Sequence, residues 1–139
     1  MNHWLVKTEP NDWSWADHCK APKRTTCWDG VRNAQAQLNL KAMAKGDKVF
    51  IYHTGKEKQI VGLATVTKTF YPDPTEETGR MGMVDLRAEK AVPSPVTLAQ
   101  VKADKRFADF LLVRNSRLSV MPVGTKHWAV LCKMAGAAS

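Results

Sequence analysis

Residues 46–70 have the sequence GDKVFIYHTGKEKQIVGLATVTKTF, which predicts two neighbouring β-strands joined by a turn. Lys48 to Thr54 is rich in β-branched and aromatic residues, and Gln59 to Phe70 is a second, longer run of the same kind. The four residues between them, 55–58, are glycine and charged residues, as is typical of a turn. Gly62 interrupts the second run, which indicates a bulge or the close approach of another backbone. This pair of strands is therefore the expected centre of the fold.

The segments before the pair add a strand and a short helix. A strand at residues 4–7 ends before Pro10, which lacks a backbone hydrogen-bond donor. Asn11 or Asp12 can cap the short helix that follows, and we expect its two tryptophans, Trp13 and Trp15, to lie in the core. We expect the polar, basic residues 20–26 to form a loop.

The remaining elements are read from apolar spacing and capping patterns. A helix is predicted over residues 31–44, capped by Asp29 and stopped by Gly46. Downstream we expect a strand at residues 83–92 and a helix from residue 97. A further strand is expected at residues 117–121 and a last helix from residue 125. The order predicts an α+β domain of residues 1–139, with a curved antiparallel sheet or a small barrel flanked by helices.

The charge of the chain indicates a polyanionic partner. Its 21 lysines and arginines outnumber 13 acidic residues, giving a net charge of +8. The excess is spread over both halves, so it is a property of the folded surface and not of a tail. Basic domains attract nucleic acid, although charge of this size also serves solubility alone.

The cysteines and the hydropathy pattern bear on the cellular setting. Three cysteines without a CxxC pair favour reduced thiols and a cytoplasmic location. His18, Cys19 and Cys27 fit no zinc spacing, so we expect no metal and no cofactor. Apolar runs fall short of the ~20 residues of a membrane span, so we expect no membrane partner. We expect a monomer.

Four motifs in this order resemble those of the EVE-domain family. They are Trp4 to Pro10 (WLVKTEP), Trp28 to Asn33 (WDGVRN), Gly46 to Thr54 (GDKVFIYHT) and Arg117 to Val120 (RLSV). The resemblance runs from about residue 3 to 131. It implies a PUA-like fold, a small mixed, mostly antiparallel β-barrel flanked by helices with a pocket at one side. It further implies binding of modified DNA or RNA, with 5-methylcytosine and its oxidised forms as the best-argued targets.

Two departures from the family pattern are visible. The usual Lys-Ser-Glu-Pro is Lys-Thr-Glu-Pro at residues 7–10, which keeps the hydroxyl. The segment after Thr75 is shorter than in longer members, so a ligand contact from that insertion is absent or changed.

Reading a modified base requires an aromatic face, a few polar groups for the base edge and cations for the phosphates. Trp28 is the best stacking candidate, because it follows a basic loop and precedes a helix; YTH domains place a cage tryptophan similarly. A core role is the alternative for Trp28. The base-pocket candidates are Lys7, Thr8, Glu9, Trp28, Asn33, Tyr52, His53, Thr54 and Ser119.

Strand alternation limits this set. Phe50, Tyr52 and Thr54 share one face, whereas Val49, Ile51 and His53 share the other. Tyr52 and His53 therefore line one pocket only if the strand is bulged or ends there, and His53 is retained on the family resemblance. The phosphate-binding candidates are Lys23, Arg24, Arg32, Arg114 and Arg117.

An enzyme is the less favoured alternative. Glu9, Cys27, Asp29 and His53 could serve as acid–base or nucleophilic groups. The chain has no P-loop, GxGxxG or metal signature. We expect a binding module without catalytic residues, with a small-molecule or nucleotide sensor as a further alternative.

Overall fold

The two strands predicted at the centre of the chain lie at the centre of a six-stranded sheet in the computed structural model, which describes residues 2–137. The strands are β1 (His3–Thr8), β2 (Thr25–Trp28), β3 (Lys48–His53), β4 (Gln59–Pro72), β5 (Gly82–Thr97) and β6 (Val120–Val123). The helices are α1 (Trp15–Lys20), α2 (Ala34–Ala42), α3 (Leu98–Ala103), α4 (Leu111–Arg114) and α5 (Thr125–Ala135), with 3-10 turns at Pro22–Arg24 and Lys105–Phe107. Of the expected domain, residues 1, 138 and 139 lie outside the described part.

The sheet has the order β2-β5-β4-β3-β1-β6. β1 and β3 run parallel, and the other neighbouring strands pair antiparallel. The α+β class and the mostly antiparallel sheet flanked by helices are confirmed. The pairing leaves the sheet open between β2 and β6 within residues 2–137, so it is not closed into a complete barrel.

The central strands are covered on both sides. Leu5, Phe50 and Leu86 are fully buried, and Trp128 of α5 packs against Phe50 with ring centroids 4.2 Å apart. None of the helices in residues 2–137 is long and apolar enough to cross a membrane.

Three elements differ from the sequence prediction, one through a distant partner strand and two through local caps. Residues 25–28 are a strand and not part of a loop, because they pair with β5 from Thr25↔Arg87 to Trp28↔Val84. α2 begins at Ala34 rather than near 31, because the side chain of Asn33, and not of Asp29, accepts the first free amide, from Ala36. α1 is capped by Ser14 in a reciprocal capping box with Asp17, in place of Asn11 or Asp12.

β5 continues past the predicted stop at residues 93–95. Gly62 pairs with Ala91 while Ile60 pairs with Val96, so the extra residues of β5 form a bulge. A bulge accommodates proline, which cannot donate to the ladder.

The bulge expected at Gly62 is confirmed, but the group that approaches this glycine is a side chain and not another backbone. The pairing of β4 with β5 shifts between Ile60 and Gly62. A Cβ added to Gly62 would lie 2.4 Å from atoms of the Trp15 ring. The indole of α1 therefore packs directly on the backbone of β4.

Gly62→Ala is expected to lower the free energy of unfolding by about 1–3 kcal/mol, because the methyl forces the Trp15 ring out of its place. Urea denaturation measures the loss. Gly124→Ala is the control, since a Cβ there meets nothing within 4 Å. Equal stability of Gly62→Ala and the wild type would contradict this packing.

Candidate functional site

A cavity of about 600 Å³ opens where the end of β1, the segment before α1, the strand β2 and the segment before α2 meet. Its lining consists of Lys7, Thr8, Asp12, Trp13, Thr26, Cys27, Trp28, Asp29, Gly30, Val31, Arg32 and Ser119. The volume is in the range of small-molecule sites and is large enough for a single base. These four segments, together with Ser119 before β6, therefore form one concave site.

Trp28 and Trp13 supply its aromatic surface. Trp28 is 6% exposed and belongs to the core, and it also lines the cavity. Trp13, which sequence reasoning assigned to the core, is half-buried and lines the same cavity. Two indoles therefore lie at the site where one was expected.

His18 packs behind both of these tryptophans. Its ring centroid lies 6.1 Å from Trp28 and 6.5 Å from Trp13, and the side chain is fully buried. Its Nε2 donates to the carbonyl of Leu86 at 2.8 Å, while Nδ1 has no partner among the described residues. Burial lowers the pKa of His18, and the charge of Arg24 adds to this effect, while the hydrogen bond to Leu86 opposes it. A neutral imidazole therefore supports the two cavity indoles.

Three more polar candidates lie at the cavity beside β1. The Nζ of Lys7 donates to the carbonyl of Ser116 at 3.0 Å, and burial lowers the pKa of this lysine. The backbone amide of Lys7 donates to the carbonyl of Ser119 at 2.9 Å, which holds Ser119 next to β1. The hydroxyl of Thr8 donates to the carbonyl of Trp13 at 2.7 Å, so it fixes an aromatic wall.

The other five base-pocket candidates do not line the cavity. Asn33 caps α2. Glu9 accepts hydrogen bonds from the backbone amide and side chain of Asn11, at 3.4 and 3.0 Å. The hydroxyl of Thr54 donates to the carbonyl of Thr8 at 3.3 Å. These three side chains are engaged locally.

Tyr52 and His53 are covered because β3 lies between β1 and β4. A register shift does occur between Ile51 and Tyr52, but both residues remain at least 94% buried away from the cavity lining. His53 Nε2 accepts from the amide of Trp15 at 2.9 Å, and Nδ1 bonds Glu57 at 2.9 Å. With both ring nitrogens engaged, His53 holds α1 against the sheet.

The cationic candidates separate into bound and free groups. Arg32 lines the cavity, but its guanidinium contacts buried Asp73 at 3.1 Å and the hydroxyl of Thr75 at 3.0 Å. Arg24 is tied to the carbonyls of Ala88 and Glu89, at 3.0 and 3.4 Å. Both arginines are therefore built into the structure.

Arg114, Arg117 and Lys23 are exposed. Within residues 2–137, neither Arg114 nor Arg117 has a hydrogen-bond or ion-pair partner for its guanidinium. Both flank Ser116, whose carbonyl binds Lys7 at the cavity. Lys23 has a left-handed backbone conformation, with φ of 56°, in the turn before β2.

The wall formed by β2 is acidic. Asp29, which directly follows β2, lines the cavity together with Asp12 of the segment before α1, and Asp85 lies opposite Cys27 in the β2–β5 pairing. Burial raises the pKa of the Cys27 thiol, and the negative charges of Asp29, Asp85 and Asp73 raise it further. From the sequence, Cys27 was considered as a catalytic or metal-binding group and Asp29 as a catalytic group or a helix cap. No motif indicated that they line this site with Asp12.

In the described part of the chain, no group of three or more histidine, cysteine, aspartate or glutamate side chains is arranged to hold a metal ion.

Residues 2–134 match the family described as the EVE domain. Thymocyte nuclear protein 1 of Homo sapiens is 32% identical to this chain over 154 aligned residues, which cover 88% of this chain and 68% of that protein. The protein of the same name from Gallus gallus is 35% identical, covering 84% of this chain and 53% of its own length.

Solved structures resemble the chain over its whole length. A protein from Agrobacterium tumefaciens has a TM-score of 0.94 at 39% identity, covering 100% of this chain and 96% of its own. The human THYN1 protein, solved in complex with 5-methylcytosine containing DNA, has a TM-score of 0.93 at 29% identity and covers 100% of both chains.

Proposed function

The chain belongs to the EVE domain family, and from that premise we propose that it binds nucleic acid and reads a modified base of the 5-methylcytosine type in it. The observation that carries the proposal is the cavity, about 600 Å³ in volume and lined by two tryptophans beside exposed arginines. The human relative solved with 5-methylcytosine containing DNA supports the same ligand class.

A base enters such a cavity only when it leaves the stack of its duplex. Extrusion costs a few kcal/mol, whereas stacking on one aromatic side chain contributes about 1–3 kcal/mol. Trp13 and Trp28 thus roughly offset the cost of extrusion without producing a net affinity. Contacts to the phosphates have to supply the rest.

The exposed arginines are suited to this task. Arg114 and Arg117 flank Ser116, whose carbonyl accepts the Lys7 hydrogen bond at the cavity. Arg32 is held by Asp73, so it shapes the rim of the cavity and offers less charge to a phosphate than its position suggests. We therefore propose that the phosphates of the nucleic acid contact residues 114–117 and that the extruded base stacks on the two indoles.

Polar groups beside β1 are available for the edge of the base. Lys7 and Ser119 line the cavity, and Lys7 retains hydrogens beyond the one that it donates to Ser116. A module that reads a base by stacking and edge contacts requires no catalytic group, which agrees with the non-catalytic interpretation of the sequence.

Binding is expected to weaken steeply with salt and to favour a duplex with one 5-methylcytosine over the same duplex with cytosine. The logarithm of affinity should fall with the logarithm of salt concentration by about 0.9 per neutralised phosphate. Arg117→Ala should reduce this slope by about 1 and weaken both duplexes to the same degree, because a phosphate contact carries no information about the base. Fluorescence anisotropy over a salt series measures both quantities, and RNA oligonucleotides of the same sequence test the other nucleic acid.

Lys133→Ala is the charge control. Lys133 is an exposed cation in the last turn of α5 and outside the cavity lining. A flat salt response, or equal binding of methylated and unmethylated duplexes, would overturn the proposed function.

A further inference from the structure

Charged groups of both signs line the cavity. Lys7 of β1 lies near the exposed arginines, Asp12 lies in the segment before α1, and Asp29 directly follows β2. Within residues 2–137, neither the Asp12 nor the Asp29 carboxylate has a hydrogen-bond or ion-pair partner. These two carboxylates are therefore available to a ligand.

Arg32 also lines the cavity, but its guanidinium pairs with neither the Asp12 nor the Asp29 carboxylate among the described residues. It donates instead to Asp73 and Thr75. Asp85 adds negative charge opposite Cys27, and burial together with the charges of Asp29, Asp85 and Asp73 raises the pKa of the Cys27 thiol. A further anion placed against Asp29 meets a like charge.

Cytosine-type bases bring a matching donor. The exocyclic amino group at C4 donates to carboxylates, as glutamate and aspartate do when they read cytosine. The position that carries the modification, C5, is the ring neighbour of C4. A carboxylate that binds the amino group consequently lies close to whatever substituent C5 carries.

We propose, on the basis of the function above, that Asp29 is a specificity-determining residue: it accepts the amino group of a cytosine-type base and selects against an anionic substituent at C5. Neutral methyl, hydroxymethyl and formyl groups do not repel Asp29, and where an oxygen on the C5 substituent accepts one amino hydrogen, the second amino hydrogen remains for Asp29. A carboxylate at C5 carries a negative charge, which repels Asp29. The site thereby distinguishes modified cytosines by charge as well as by size.

The matched comparison is between 5-formylcytosine and 5-carboxylcytosine, which are close in shape and differ in charge. In otherwise identical duplexes, the wild type is expected to bind the carboxyl form about tenfold more weakly than the formyl form, because like charges that meet in an interface repel each other. Asp29→Asn keeps the shape and removes the charge, so it should reduce this ratio to about threefold or less. Asp109→Asn should keep the full ratio, because Asp109 is 87% exposed and outside the cavity lining.

The outcomes separate this inference from the proposed function. If 5-methylcytosine is preferred over cytosine while the formyl and carboxyl forms bind equally well, the inference is wrong and the function stands. The same conclusion follows if Asp29→Asn retains the full ratio. If no duplex is preferred over another, both fall. The wild-type ratio requires no variant, so the test does not depend on the folding of Asp29→Asn.

Discussion

Trp28→Ala is expected to lower the free energy of unfolding by about 3–5 kcal/mol, the usual cost of removing a large buried aromatic side chain. The indole is 6% exposed, packs on His18 and ends the strand that pairs with β5. Urea denaturation followed by circular dichroism measures the loss. Destabilisation alone therefore does not exclude a binding role, since the same side chain belongs to the core and to the cavity.

Trp28→Phe separates the two roles. It retains an aromatic ring and much of the packing but reduces the stacking area in the cavity. We expect a several-fold loss in affinity for the modified duplex. Complete loss of about 1–3 kcal/mol of stacking corresponds to a 5- to 150-fold loss in affinity, and phenylalanine retains part of that stacking. Affinity for the unmodified duplex should change less, because the phosphate contacts remain.

The control is Trp128→Phe. Trp128 is 3% exposed and packs between His3 and Phe50, outside the cavity lining. The two variants should lose similar stability, but only Trp28→Phe should lose preference for the modified base. Equal effects of both variants on binding would place Trp28 in the core alone.

Local patterns were sufficient to predict the strands at the centre of the fold. The β-branched and aromatic runs of β3 and β4 determine their own conformation, and the Thr97–Gln100 capping box starts α3 as its spacing predicts. β2 escaped prediction because the run TTCW is only four residues long and follows a polar, basic stretch, although threonine and tryptophan favour strands. It becomes a strand through pairing with β5, about sixty residues later in the chain.

The candidate site was predictable only where a residue's position depends on nearby sequence. Lys7 and Thr8 were identified because a proline ends their strand, and Trp28 because it precedes a helix. Trp13 was assigned to the core since nothing local shows that the Thr8 hydroxyl holds its backbone at the cavity. His53 was retained as a ligand candidate, whereas its two ring nitrogens are engaged by Trp15 and Glu57. Such partners are set by tertiary packing.

Asp73→Ala is expected to lower the free energy of unfolding by about 2–4 kcal/mol, because it leaves several hydrogen-bond donors without a partner. The Asp73 carboxylate is buried and accepts from the Gly30 amide at 3.0 Å, from Arg32 at 3.1 Å and from the Thr75 amide at 2.8 Å. It thus ties the cavity segment before α2 to the turn after β4. Urea denaturation measures the loss, and binding of the modified duplex should weaken as well, because Gly30 and Arg32 line the cavity.

Asp73→Asn tests the charge itself through its pH dependence. Burial opposes ionisation of Asp73, but hydrogen bonds from Thr75, Gly30 and Arg32 outweigh it and lower the pKa to about 2. In the unfolded chain an aspartate has a pKa of about 3.9. A carboxyl whose pKa is lower in the folded state stabilises the protein above the unfolded value, and this contribution disappears as the pH falls through the folded value.

The stability advantage of the wild type over Asp73→Asn should therefore be constant at neutral pH and shrink between about pH 4 and pH 2. Asp104 is the matched control, because its pKa is also lowered to about 2, by hydrogen bonds and charge from Arg106, but its side chain is partly exposed and its partner is an exposed arginine. Asp104→Asn should cost much less stability and leave binding unchanged, since water already screens that pair. An advantage over Asp73→Asn that persists undiminished down to pH 2 would mean that the shape of the Asp73 side chain, and not its charge, holds the rim of the cavity.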